Sequence, residues 1–418
     1  MTNVLSYRRT TCRLCGCSDL ALVLKLSPTP PANAFVKSVD PSRNQAMFPL
    51  NLYFCLNCAH VQLLDVVDPS HLFRDYVYVS ATSPVFVEHF KNYSNEILAK
   101  FGDCDQGGLV VDIGSNDGTL LQNFRARGSK ILGIDPAVDI ASKATENGIE
   151  TIAEFFTSEL AIKISENYGE AKIVFANNVF AHVDNLRDMV EGVQSLLSSD
   201  GIFVFEVSYL IDIFEKTLFD TIYHEHLSYH SVAPLKSFFT CIGMELIAVD
   251  RVESHGGSLR GVAQRAGGPK PKEPSVELLI DLEFKLGLHD VEVFKEYESK
   301  INTRSVEVRD YLVALKSEGK SIAGYGAPAK ATTLMYHFNI GSDLIDFIVD
   351  DNPIKQGMFS PGMQIPILSP DYVYKKMPDV LLILAWNFSE SIVQNHQRYL
   401  EGGGEFLVPL PEFRRIKL

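Results

Sequence analysis

Apolar residues in the middle of this chain fall in short unbroken runs, each followed by a stretch with helical spacing. LVVDI, KILGID, KIVFANN and GIFVFEV, lying between residues 109 and 207, read as strands buried on both faces. Their alternation with helical segments predicts a parallel, doubly wound sheet. Two runs with alternating polarity then follow, residues 244–251 and 258–265, separated by a Gly-containing turn. They predict an antiparallel hairpin closing the sheet. Upstream, an amphipathic helix is expected over Pro84–Phe101. Downstream, Gly267, Gly268 and Pro269 open a linker, and a long helical pattern covers about residues 275–318 with a break near Gly287. SIAGYG, LIDFIVDD, DVLLILAWN and EFLVPLP then predict a second α/β unit.

These patterns divide the 418 residues into three expected units: a metal-binding module over 1–70, a central α/β domain over 71–270 and a C-terminal α/β domain over 271–418. An apolar content of 46% with 22% charged residues is that of a soluble globular chain. The net charge of −14 argues against a nucleic-acid footprint. No apolar run approaches a membrane span, and the N-terminus lacks the apolar core of a secretion signal, so a cytoplasmic location is expected, with no membrane partner.

The cysteines add chemistry to the first unit. Cys12 and Cys15 form one C-x-x-C knuckle, Cys55 and Cys58 another, with 39 residues between them. In a reducing compartment two such knuckles predict four thiolates on a tetrahedral Zn²⁺, which leaves no open coordination position and makes the ion structural. Cys17 and His60 are close enough in sequence to be substitute ligands. Cys104 and Cys241 have no partner by spacing and are expected to be small buried residues.

In the central unit the first strand ends in Asp112 and runs into a turn bounded by Gly114 and Gly118, with Asn116 between them. Such a turn brings backbone N–H groups close to a ligand at the carboxyl end of a strand. It is not the dinucleotide fingerprint, because residues 116 and 119 are Asn and Thr. It resembles the first motif of S-adenosylmethionine-dependent methyltransferases. Asp135, ending the next strand, is placed to accept ribose hydroxyls, although an Asp there also serves as a helix cap. Glu154 and Phe155 are expected near the adenine, and Asn177 joins the cofactor set at the end of the third strand.

The C-terminal unit carries Gly324-Tyr-Gly-Ala-Pro-Ala-Lys330, matching G-x-G-x-x-A, with Asp350 and Asp351 about 20 residues beyond. A nicotinamide dinucleotide and a nucleoside diphosphate both suit such a turn. The densest polar cluster lies between the last parallel strand and the hairpin: Tyr223, His224, Glu225, His226, Ser228, Tyr229 and His230. It is not a zincin motif, since H-E-x-x-H would need His at 228.

Taken together, the two knuckles, the acid-x-Gly-Ser-Asn-Asp-Gly turn, the Tyr-His-Glu-His-Leu-Ser-Tyr loop and the Gly-Tyr-Gly-Ala-Pro-Ala-Lys unit resemble the zinc-containing, S-adenosylmethionine-dependent nucleotide-deoxysugar C-methyltransferases. The resemblance spans essentially the whole chain. It implies a zinc module, a central Rossmann-like methyltransferase sheet and a C-terminal Rossmann-like domain holding the nucleotide-sugar. Its substrates are nucleoside-diphosphate (dTDP or GDP) 4-keto-6-deoxysugars, methylated at C3 or C5 beside the ketone. It makes His226 the base, assisted by Tyr223 and Glu225, with His224 a further catalytic candidate. Substrate contacts are expected from Tyr76, Tyr78, Asn178, His182, Gly326, Lys330 and Asp351, in a monomer or weak homo-oligomer. An NAD(P)-dependent sugar oxidoreductase using the C-terminal turn is the alternative.

Overall fold

The computed structural model describes residues 5–39, 45–74, 84–102 and 107–418; Tyr76, Tyr78 and Cys104 lie outside them. The N-terminal module contains β1 (Ser6–Arg8), β2 (Leu20–Thr29), β3 (Phe48–Cys55), β4 (Val61–Leu63), β5 (Asp65–Val67) and the short α1 (Pro69–Phe73). Strands β2 and β3 pair antiparallel, with Leu20 opposite Cys55. That register returns the chain to its starting point and explains how knuckles 39 residues apart in sequence meet.

After α2 (Pro84–Phe101) comes the central sheet: β6 (Leu109–Ile113), α3 (Thr119–Arg125), β7 (Lys130–Ile134), α4 (Val138–Glu146), β8 (Thr151–Ile152), α5 (Ser158–Tyr168), β9 (Ala171–Asn177), α6 (Leu186–Leu196) and β10 (Leu197–Ser208). The chain then passes α7 (Leu210–Glu215), β11 (Ser228–Tyr229) and α8 (Val232–Cys241) to the hairpin of β12 (Met244–Val252) and β13 (Ser258–Arg265). The seven strands lie in the order β12-β13-β10-β9-β6-β7-β8, with β13 antiparallel to both its neighbours. This is the expected parallel sheet closed by the expected hairpin. Alternate residues serve opposite faces: Val110, Ile202 and Val204 meet Tyr93, Ile97 and Phe124 of α2 and α3, whereas Val111, Phe203 and Phe205 join the larger core on the other face.

The helical stretch after the linker forms α9 (Ser275–Lys285) and α10 (Glu292–Ser317), interrupted at Gly287, whose φ of +73° ends the first helix. The last unit has β14 (Ile322–Tyr325), α11 (Ala329–His337), β15 (Ile348–Val349), β16 (Ile367–Leu368), α12 (Asp371–Lys376), β17 (Val380–Ile383), β18 (Glu405–Val408) and β19 (Arg414–Ile416), with sheet order β16-β15-β14-β17-β18-β19. Strand order reverses between β14 and β17, which places a crevice at Gly326 and Ala385.

Two expectations need correction. The stretch after β10, expected as a polar, aromatic loop, is mostly buried over residues 209–231, and within it Ser228–Tyr229 pairs with β4, joining the module sheet β11-β4-β3-β2. The module therefore borrows a strand from the segment that carries the Tyr-His-Glu-His motif. Cys241, expected inside, is exposed at the end of α8. Among the described residues, no helix is long and apolar enough to cross a membrane.

Candidate active site and zinc centre

Two tight turns build the metal centre. Gly16 (φ +75°) lets its N–H return to the Cys12 carbonyl, and Ala59 (φ +62°) donates to the Cys55 carbonyl. The sulfurs of Cys12, Cys15, Cys55 and Cys58 lie within 4.8 Å of one another, with Cys12–Cys58 at 3.6 Å and Cys15–Cys55 at 3.5 Å. A tetrahedral zinc with Zn–S bonds of about 2.3 Å asks for sulfurs about 3.8 Å apart, so the set fits the ion. The hydrogen bond with Cys58 lowers the Cys12 thiol against the opposing effect of burial, the direction that favours a thiolate ligand. Cys17 and His60 are not in the group; His60 is buried, with Nε2 3.3 Å from the Ser228 hydroxyl.

The turn after β6 is shaped by close packing. Gly114 (φ +74°) lies where a Cβ would be 2.2 Å from Val179 Cγ2, and Asn116 adopts the left-handed conformation expected of it (φ +52°). That conformation aims the Asn116 N–H at Asp135 Oδ2 (2.9 Å), while Asp135 Oδ1 accepts from the Ala137 N–H (2.9 Å). Asp135 thus braces both the turn and the start of α4, and each oxygen keeps a second lone pair. Burial, with Asp135 adding to it, pushes the Asp112 carboxyl up to about 8. At the end of β9, Asn177 Oδ1 accepts from Tyr93, but its buried Nδ2 has no partner among the described residues. A buried amide without an acceptor and an acid lacking a counter-charge both suit a polar, cationic ligand such as S-adenosylmethionine. Asn178 follows with φ +55°, and Phe155 is half-buried beside the exposed Glu154 beyond β8.

Above the carboxyl ends of these strands stands a ladder of rings. Phe73 stacks on His182 (5.5 Å, 8°), His182 on His226 (5.0 Å, 27°), and His226 on Tyr223 (4.2 Å, 36°). His226 Nδ1 donates to the Thr221 carbonyl at 2.8 Å, which assigns the basic lone pair to Nε2. Glu225 is buried, accepts from Asn33 Nδ2 (2.7 Å), and is raised to about 7 by burial. His224 turns the other way: it is buried edge-on against Phe48 of β3, its Nε2 is 3.3 Å from the Phe48 carbonyl oxygen, and burial lowers it to about 4. His230 is sandwiched between Phe180 and His60. The structure therefore brings Tyr223, His226 and His182 together, turns the Glu225 carboxyl to Asn33, and packs His224 against Phe48 and His230 between Phe180 and His60. Asn33 and Thr221 were not singled out by sequence; no spacing pattern connects Asn33 to residue 225.

The C-terminal turn backs onto the same segment. Thr333 Oγ1 donates to the Ile222 carbonyl, and Trp386 Nε1 donates to Asp220 Oδ2 (2.6 Å). The Lys330 ammonium sits 4.2 Å above the Trp386 ring. Gly326 approaches Ala385 so closely that a Cβ would lie 2.5 Å from it. Asp351 accepts from the Tyr325 hydroxyl at 3.3 Å, and the neighbouring Asp350 accepts from the Ala327 N–H (2.6 Å).

Comparison with known proteins agrees with this arrangement. Residues 12–73 match the family model of a zinc binding domain, residues 86–249 that of a methyltransferase domain, and residues 253–411 that of a C-methyltransferase C-terminal domain. The C-methyltransferase NovU of Streptomyces niveus is 34% identical over 405 residues, covering 97% of this chain and 96% of that protein. Solved structures that align with part of the chain include the magnesium protoporphyrin IX methyltransferase of Synechocystis PCC 6803 (14% identity, TM-score 0.34, 46% of this chain and 86% of that one). Another is PH0226 of Pyrococcus horikoshii OT3 (14% identity, TM-score 0.37, 47% and 98%). Nothing here supports the oxidoreductase alternative, since the region bearing the Gly-rich turn matches a C-methyltransferase domain. With a cysteine cage that fits zinc and a sheet that fits S-adenosylmethionine, the chain belongs to the zinc-containing, S-adenosylmethionine-dependent C-methyltransferases.

Proposed function

We propose that this enzyme methylates a nucleoside-diphosphate 4-keto-6-deoxysugar at the carbon beside the ketone, C3 or C5, through an enolate. The observation carrying this reading is His226: its Nδ1 proton is committed to the Thr221 carbonyl, leaving Nε2 as a base at the carboxyl ends of the cofactor strands. The sugar as substrate class rests on the resemblance of the Tyr223–Tyr229 motif to deoxysugar C-methyltransferases.

A carbon centre becomes nucleophilic only if an adjacent carbonyl acidifies its proton. His226 Nε2 takes that proton as the C–H electron pair moves into the ring and onto the ketone oxygen. On this reading Tyr223, whose ring lies tilted 4.2 Å from that of His226, donates to that oxygen as charge develops. Glu225, buried and raised to about 7, holds Asn33 against the same segment and exchanges its proton near neutrality. When bound beside the Asp112–Gly118 turn and Asp135, S-adenosylmethionine would supply an electrophilic sulfonium methyl for the enolate carbon and would leave as S-adenosylhomocysteine. What the protein contributes is proximity and a base fixed by its hydrogen bond to Thr221. On this reading the nucleotide occupies the C-terminal crevice beside Gly326 and Asp351, with Lys330, whose ammonium lies over Trp386, at the start of the following helix.

The test is isotope exchange. Wild-type enzyme with S-adenosylhomocysteine and a panel of dTDP- and GDP-linked 4-keto-6-deoxysugars should wash solvent deuterium into one carbon beside the ketone. If no sugar exchanges, yet methyl transfer to a different acceptor is detected, the substrate class is wrong.

A further inference from the structure

We propose that Arg13, a non-ligand residue inside the first zinc knuckle, is a positioning residue for the methyl-transfer base. The inference rests on His226 being that base. Arg13 lies between Cys12 and Cys15, and its guanidinium is buried (3% exposed). It reaches three segments at once. Nη1 donates to Gln62 Oε1 (3.1 Å), to the Leu63 carbonyl in β4, and to the Leu227 carbonyl (3.3 Å), the residue next to His226. Nε donates to Asp184 Oδ1 (3.0 Å) and Nη2 pairs with the same oxygen (2.9 Å), two residues beyond His182.

The two loops so grasped also hold each other. The N–H groups of Leu227 and Ser228 both donate to the Ala181 carbonyl, at 2.9 and 3.1 Å, and the Leu63 N–H donates to Leu227. His182 stacks on His226 between these anchor points. The clamp therefore fixes both rings whose stacking sets the base's direction, and it is attached to a turn that the metal closes. A guanidinium suits this task because its donors diverge in one plane; an ammonium at the same place has one nitrogen and cannot reach both loops. Zinc, four-coordinate and away from the substrate, would thus contribute to turnover through Arg13.

The experiment uses full-length, zinc-loaded protein carrying Arg13→Lys or, separately, Asp184→Asn, which leaves every backbone cap in place. Zinc content, affinity for S-adenosylhomocysteine, kcat and KM are measured, together with acrylamide quenching of Trp386, the chain's one tryptophan, which reads the segment through Asp220. With one zinc retained and cofactor affinity unchanged, kcat should fall about 10- to 100-fold in Arg13→Lys, with less change in KM. Quenching should rise in both variants. Wild-type kcat in zinc-loaded Arg13→Lys overturns the proposal, and so does a loss confined to KM. Activity lost only in step with zinc also overturns it, because Arg13 would then merely support the metal. Should the wild type act on none of the sugars tested, the substrate reading has failed, and unchanged quenching in both variants would separately overturn the role of Arg13.

Discussion

His226 donates its Nδ1 proton to the backbone carbonyl of Thr221, five residues earlier in the same loop. The usual orienting partner of a catalytic histidine is a carboxylate, and a neutral carbonyl has a different consequence. It holds the neutral ring in the tautomer that carries its proton on Nδ1.

Replacing His226 by Asn should lower turnover by about 10² to 10⁴-fold and abolish deuterium wash-in, with the dissociation constants of both substrates nearly unchanged. His224→Asn should leave wash-in largely intact, since that ring is buried against Phe48. Mass spectrometry of the recovered sugar decides; the opposite ranking of the two variants would transfer the base to His224.

Purified protein should hold about one zinc per chain. Cys55→Ser removes a buried ligand and should cost more than about 4 kcal/mol, the range reached when a structural metal is lost. Metal analysis and thermal denaturation test this, and a folded chain with less than a tenth of an equivalent would remove zinc from the picture.

Asp135→Ala should weaken S-adenosylmethionine binding by about 1.5 to 3 kcal/mol. Two losses contribute: the acceptor expected at the ribose, and the brace on Asn116 and Ala137. Asp135→Asn retains one acceptor oxygen and should recover part of the affinity if bracing dominates. Calorimetry giving wild-type affinity for Asp135→Ala would reduce this residue to a helix cap.

Glu225 gives a pH-dependent signature. Burial raises it from an ordinary glutamate value of 4.5 to about 7, so between those values the folded state binds the extra proton. Stability should therefore decline as pH rises through that window and level off above it, by about 3 kcal/mol in all at 1.36 kcal/mol per unit. Glu225→Gln should flatten this slope and be more stable than wild type at pH 8. An unchanged slope in urea titrations from pH 4.5 to 8 would place the proton elsewhere.

The central fold was legible because strands buried on both faces leave continuous apolar runs, and the break at Gly287 is marked by a residue that adopts positive φ cheaply. The knuckles were legible because short turns impose short spacings. What stayed hidden is non-local. Ser228 and Tyr229 form a strand too short to show periodicity, so nothing along the chain indicates that they pair with Val61 and Gln62. His224 and His226 look alike in sequence, and only the sheet behind them turns one toward Phe48 and the other toward His182. Asn33 and Arg13 reach the motif from about 190 and 210 residues away. Lys330 fits a phosphate-binding pattern, but nothing along the chain indicates that its ammonium lies over the face of Trp386.

One apolar core runs from Cys12 and Leu52 of the zinc module through Phe205 and Phe239 to Ile322 and Leu407 of the last sheet. Although three matched family segments lie end to end along the chain, they are not three interchangeable cassettes. A chimaera that replaced the first 70 residues would have to reproduce the partner of β11 and the clamp on Leu227, or it would bare the floor of the active site. Calorimetric melting should therefore show one cooperative transition rather than a separate one for each segment.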